Sequence, residues 1–331
     1  MVSVDRLLQI VVEARAVGRL QRYLEAVRAE RGLNQRELPV TGTTEKTEEV
    51  VRGAVDAGLL TVEELAEFVD EVEDTGGQHL FLFDLTKGHE DRLSEDHLEN
   101  LFEARPRLRS QHFYEPLPRE NWFWYRKDKA RIVKQVRTAE YWDREVVEET
   151  EDRRVVVWEK VKRRATNSLW YVPNPGVEIR IDRVSSKISN ELAASLLNDF
   201  LEGFQGSLQV ETDLTPVRIW EGFREMALAK NETFMTVDEA EDPSVKQRIS
   251  NRRERGTDVR EHDSYDLDRP DWVRNSLNIY WRLPWDPEQK VHTILSKVTI
   301  GDLDYGKVFI NAKVAPEELT HVISRIRHFA S

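Results

Sequence analysis

The chain has 331 residues, longer than one ordinary domain, and a hydrophobic fraction of 39% that includes 12 Phe, 9 Trp and 8 Tyr, enough for a core and against disorder throughout. It has no cysteine, which excludes disulfides, thiolate zinc sites and cysteine nucleophiles together. A formal net charge of −12 excludes steering toward nucleic acid by the overall field, so any such binding needs a local basic patch.

No apolar run approaches the roughly 18 residues of a membrane span, and "MVSVDRLLQI" lacks a basic region before an uninterrupted apolar core, so a soluble, cytoplasmic protein with no membrane contact is expected. Residues 3–31 place Leu7, Leu8, Val11, Val12, Val17, Leu20, Leu24 and Val27 at helical spacing, closed by Gly32. A second helix is predicted over 44–57. A third opens at Thr61 with Glu64 three residues on, the signature of a capping box, and presents Leu65, Phe68, Val69 and Val72 before Gly76-Gly77. In "DTGGQHLFLFDLTKGHED" (74–91) the two glycines end that helix and "HLFLFDL" reads as a short buried strand or an extended connector, a joint rather than a site. His79 reads as a packed histidine and His89-Glu90-Asp91 as a solvated loop. A helix over 95–104, capped by Ser94, completes a helical N-terminal domain.

After about residue 120 the apolar period changes from that of helices to that of strands. "ARIVKQVRTAEYW", "REVVEETEDRRVVVWEKVKRR", "SLWYV" and "VEIRIDRV" predict an antiparallel meander covered by a helix over 190–204. A helix is predicted to open at Thr215-Pro216 and to carry Trp220, Phe223 and Met226. Residues 238–270 read as a charged loop or helical insertion. "SLNIYWRL", "VHTILSKVTI" and "GKVFINAKV" are strands, and a last helix starts at Pro316 with acids in its first turn and Arg325, Arg327 and His328 in its last. The expected fold class is α+β: a helical bundle, then an antiparallel meander with covering helices, in which 121–204 and 207–331 repeat the order of strands then helix. The expected domains are 1–105 (helical), 106–206 (β-rich with a covering helix) and 207–331 (α+β, with the insertion 238–270).

The chain has no P-loop, dinucleotide fingerprint, His-Glu-x-x-His or nucleophile elbow, and no catalytic residue, metal ligand or cofactor is assigned. The nearest approach to a metal-dependent nuclease is Glu159 with Lys162, or Glu178 with Arg180, on neighbouring strands. "HDSYDLD" lacks the glycine and glutamate of a calcium loop. Charge layout says more. The helix 62–74 carries seven acids and no base, either a solvated face or a docking face for a basic partner. Arg126, Lys127, Lys129, Arg131, Lys134 and Arg137 crowd the first strands. Alternation over 155–164 puts Trp158, Lys160, Lys162 and Arg164 on one side and Val155, Val157 and Val161 on the other. A basic stripe ending in a tryptophan suits a phosphate backbone with a base or sugar stacked beside it, and Arg252 and Arg253 of the insertion add charge. The competing reading is that these cations keep a sheet edge from aggregating.

A helical domain ending in "TVEELAEFVDEVEDTGGQHLFLFDLTK", followed by a basic β-rich domain, resembles the centromere protein N family of kinetochore proteins across about residues 5–185 at the level of pattern. The resemblance implies a death-fold-like bundle leading into a curved sheet domain, and a non-catalytic adaptor for DNA and protein. The acidic helix 62–74 departs from the basic surface of that family. The expected function is thus a nucleic-acid-binding and protein-binding adaptor, in chromosome maintenance or anti-phage defence. Arg131, Lys160, Lys162, Arg164, Arg252 and Arg253 would meet the phosphates of nucleic acid, double-stranded DNA in the first place. Trp158 would stack, and a protein partner would sit on the helical domain. The alternatives are a metal-dependent nuclease and a purely protein-binding scaffold.

Overall fold

Leucines and valines repeated at helical spacing need a partner surface, and in the computed structural model they find it in one another. The structure describes residues 2–14, 16–40, 42–75, 77–104, 114, 121–149, 154–173, 176–182, 190–208, 213–242, 247–250, 258–261, 273–300, 302–310 and 314–331. Helices α1 (Val4–Glu13), α2 (Val17–Glu30), α3 (Thr44–Asp56) and α4 (Val62–Thr75) bury Leu7, Leu8, Leu20, Leu24, Val51 and Leu65 in a common core. Local chemistry sets their ends. The capping box of α4 forms as expected, with the Glu64 N–H donating to Thr61 Oγ1 at 3.1 Å and the Thr61 N–H to Glu64 Oε2 at 2.8 Å. Gly77, at φ 58°, then turns the chain out of the helix.

The stretch expected to be a joint is the spine of the molecule. Strand β1 (Gln78–Leu85) pairs antiparallel with β5 (Gly176–Asp182) on one side and with β11 (Leu303–Ile310) on the other. Its apolar run is continuous because both of its faces are buried: Phe81 and Phe83 enter one core, Leu80 and Leu82 another. The strands β2 (Asn121–Lys127), β3 (Ala130–Glu149) and β4 (Arg154–Val172) extend the sheet beyond β5. On the far side lie β7 (Thr233–Asp242), β8 (Gln247–Ser250), β9 (Val273–Leu283) and β10 (Asp286–Ile300), giving the order β2-β3-β4-β5-β1-β11-β10-β9-β7-β8, with β6 (Leu214–Pro216) also paired to β1. The class is α+β as expected. One sheet takes strands from all three of the expected segments: β1 from 1–105, β2 to β5 from 106–206 and β6 to β11 from 207–331.

The halves are covered from opposite sides. In the first, α5 (Glu95–Glu103) and α6 (Asn190–Leu208) pack Leu98, Leu197, Phe200 and Phe204 on Trp122, Leu169 and Ile179. In the second, α7 (Phe223–Leu228) and α8 (Pro316–Ala330) pack on Met235, Ile279, Trp281 and Leu295 from the other face. Arg327 of α8 ties the halves together by donating to the carbonyls of Phe83 and Val177, each at 2.9 Å.

Two local expectations change. Pro216 ends β6 beside Phe83 instead of opening a helix, because the next N–H, of Val217, is taken by the Leu82 carbonyl at 2.9 Å; α7 begins only after a 3-10 turn over Ile219–Gly222. The stretch 238–270 begins as a strand, since β7 runs on to Asp242 and pairs with β8. Among the described residues no helix is long and apolar enough to cross a membrane.

Candidate nucleic-acid interface

Strands β3 and β4 form one long hairpin whose two ends differ. Near its base β2 flanks β3 as far as Val136 and β5 flanks β4 from Ser168, and Ala139 and Ala165 still reach the α6 core. Beyond them the ribbon continues for about 30 Å at the usual strand rise, paired only to itself. From Val156 to Lys162 every side chain is exposed or half-exposed, including Val157 at 48% and Trp158 at 58%, which alternate between faces. Along β4 this part of the hairpin is an arm uncovered on both sides.

Register gives the arm two unlike faces. Glu140 lies opposite Lys162, Trp142 opposite Lys160 and Arg144 opposite Trp158, while on the reverse side Asp143 lies opposite Glu159 and Glu145 opposite Val157. Lys162 bonds Glu140 at 2.8 Å, and Lys160 bonds the other oxygen of the same carboxylate. Hydrogen bonds from the two lysines hold the Glu140 carboxyl down to about 2, so at this point two positive charges share one negative one. Exposed pairs of this kind contribute little net stability and exchange readily for another anion.

Two residues further in, Arg164 sits on the same side of β4 by alternation but faces α4 instead of solvent. Its Nε donates to Glu73 Oε1 at 2.5 Å, and its side chain is 2% exposed. Lys134, 1% exposed, lies 3.1 Å from both Glu73 and Asp74, Tyr125 donates to Asp74 at 2.6 Å, and Arg180 bonds Glu178 at 2.7 Å while lying 3.7 Å over the Trp170 ring. Burial would raise the Glu73 carboxyl, but the charges of Arg164 and Lys134 outweigh it and hold it at about 2. Burial would likewise lower the Lys134 ammonium, and Asp74 with Glu73 raise it instead. The acidic end of α4 is therefore docked on the basic sheet of its own chain.

The expected stripe is thus divided. Lys160, Lys162 and Trp158 share an exposed face. Arg164 does not reach solvent, because the carboxylate that neutralises it is packed over it. Arg131 lies on the opposite face of the sheet, half-buried, donating to the Leu93 carbonyl at 3.1 Å with its guanidinium 5.4 Å from the Tyr171 ring. Arg252 and Arg253 lie outside the described residues. The acids of α4 are also engaged at home: Glu64 pairs with Arg31, Glu71 with Arg19 at 2.5 Å, and Asp70 accepts from Tyr114 at 3.0 Å, which leaves Glu63 and Glu67 on the exposed side. The nuclease pairs do not converge, since Glu159 is on the arm and Glu178 is buried under α4 with Arg180. Among the described residues no three His, Asp or Glu side chains group as metal ligands.

The buried cluster carries a signal that was present in the sequence: an acidic helix end, Glu73-Asp74, immediately before a central strand, and cations at 134, 164 and 180 on strands near it. Opposite charges in one chain are their own first candidates for pairing. No protein-family model, curated protein or solved structure matches this chain.

Proposed function

We propose that the protein is a non-enzymatic adaptor that holds double-stranded DNA on the β3–β4 arm. Lys160 and Lys162 would meet successive phosphates, displacing Glu140, and Trp158 would lie against a sugar or base. The observation that carries this reading is the arm itself: a two-stranded ribbon whose β4 strand is bare on both faces, with Lys160, Lys162 and Trp158 on one side. A two-stranded ribbon alone in water is marginal, and its width is what a major groove admits. The helical domain supplies the protein-binding half of the adaptor, through the face of α4 that retains Glu63 and Glu67 for a basic partner. The centromere protein N-like pattern implies the same pairing of roles, although the interactions proposed here come from this chain's own geometry.

The test is titration of a mixed-sequence duplex across a salt series with the wild-type chain and with Lys160→Glu/Lys162→Glu. Wild-type affinity should fall as salt rises, and in the variant the log–log slope should become shallower by about 2, roughly 0.9 for each phosphate no longer neutralised. An unchanged slope removes the arm from the interface.

A further inference from the structure

The second half of the sheet has one covered face and one open face. Met235, Ile279, Trp281, Val291, Leu295 and Val308 lie under α7 and α8, each 2% exposed or less. Of the residues that alternate with them, Ser296, Val298, Tyr305 and Lys307 are buried, Tyr305 in the core under α6, whereas toward the other end the face is not covered in this way. Phe234, Asn278, Tyr280, His292, Ile294 and Phe309 are half-buried, and Arg282 and Lys290 are exposed. Alternation brings these onto one surface across β7, β9, β10 and β11: Phe234 opposes Tyr280, Tyr280 opposes His292, Arg282 opposes Lys290 and Ile294 opposes Phe309.

The side chains on this surface are organised. The Tyr280 and His292 rings stack with centroids 4.5 Å apart at 26°, and Phe234 meets Tyr280 edge-on at 6.0 Å. A ring nitrogen of His292 lies 2.8 Å from Asn278 Oδ1, which fixes the imidazole plane, and burial lowers the basicity of the ring. Lys290 Nζ stands 4.9 Å over Phe234. At this edge the surface deepens into a cleft of about 380 Å³ between α2, α8 and β10, lined by Arg22, Lys290, His292 and Glu318, within the range of small-molecule sites. The Glu318 carboxylate is already occupied by Gln289 and by the Ala315 N–H at 2.8 Å.

The charge is one-signed. In a chain of net charge −12, the uncovered positions of this face on β9 (274–282), on β10 (290–294) and at Phe309 of β11 carry Arg274, Arg282 and Lys290 and no Asp or Glu. The first acid the register adds is Glu239 of β7, opposite Ser276 at the far end. A sheet face with rings in a row, an ordered amide and positions of one charge sign fits unpaired bases on a flexible phosphate chain. A rigid duplex does not fit it, because its bases cannot reach the rings.

We propose that the open face of β7, β9, β10 and β11 is a second interface, for single-stranded nucleic acid. Bases would rest on Phe234, Tyr280 and His292, and phosphates would meet Lys290 and Arg282. The inference builds on the nucleic-acid reading above but uses none of the arm's residues, so the two fail separately.

The full-length chain is titrated with labelled oligo-dT and oligo-U across a salt series, beside the duplex, using Lys290→Glu/Arg282→Glu and the arm variant Lys160→Glu/Lys162→Glu. Both pairs are exposed cations, and circular dichroism confirms the fold of each. The platform variant should weaken single-strand binding at least tenfold and flatten its slope by about 1.4, roughly 0.7 for each phosphate left without its cation, with duplex binding unchanged. The arm variant should do the reverse. Ultraviolet cross-linking of bound oligo-dT, followed by tryptic mapping, should label the peptides 231–246, 275–282 and 291–297. Failure of the wild-type chain to bind either oligonucleotide at low salt, loss of single-strand binding in the arm variant alone, or cross-links confined to other peptides would each overturn the proposal. Loss of duplex binding by the arm variant would still stand as support for the first reading.

Discussion

Lys162 and Arg164 stand two residues apart on the same side of the same strand, and they have opposite fates. Lys162 is 66% exposed and shares a surface carboxylate with Lys160; Arg164 is 2% exposed and locked to Glu73 beneath a helix. Alternation along a strand says which side a residue takes, but not whether that side has a lid. On this hairpin the lid is α4, and it stops between the two residues. The arm stays exposed because α4 covers only the base of the same hairpin.

The sharpest way to break this contrast is at the base. Glu73→Gln leaves Arg164 and Lys134 buried without one of their carboxylates and should destabilise the fold by about 3–5 kcal/mol, read by urea denaturation. Acid should do much the same without a mutation. The folded Glu73 carboxyl lies at about 2 against an ordinary 4.5, so its contribution is complete above about pH 4.5 and is lost as pH falls from there toward 2. A depression of this size corresponds to about 3 kcal/mol. Melting curves between neutral and acid pH should lose this increment in the wild type and much less of it in Glu73→Gln.

At the arm the expected effects move from stability to binding. Glu140→Gln removes the carboxylate that a phosphate must displace and should raise duplex affinity while leaving the melting temperature unmoved; weaker binding would mean that Glu140 orders the lysines for the ligand. The smallest change is expected for Trp158→Ala. Losing one stacked ring costs about 1 kcal/mol, roughly fivefold in affinity, with no change in salt slope because no charge is removed.

Much of this fold was legible in the sequence. The capping box at Thr61 and Glu64, the helix over 190–204 and the alternating strands after residue 120 follow from local rules that the tertiary structure did not override. The position of β1 was not legible: "HLFLFDL" looks the same as a buried connector and as a central strand, since both are apolar on two sides, and only pairing across the chain tells them apart. The candidate site was half legible, and for a similar reason. Lys160, Lys162 and Trp158 were placed together by local alternation. The burial of Arg164, and of Lys134 beside it, depends on a helix whose Glu73 lies ninety-one residues before Arg164. Arg131 went astray on parity alone, an odd position on β3 among even ones. The open aromatic face left a weaker trace: Tyr280, His292 and Phe309 alternate correctly, but a ring that packs inward and one that waits for a base have the same letter in the sequence.

The central place of β1 has a consequence for how the molecule is made. During synthesis β1 leaves the ribosome before either neighbour, and after β5 has emerged more than a hundred further residues must follow before β11 does. Until then the nascent protein carries at its middle a strand edge that only β6 can partly pair, the kind of non-local pairing that slows folding in general.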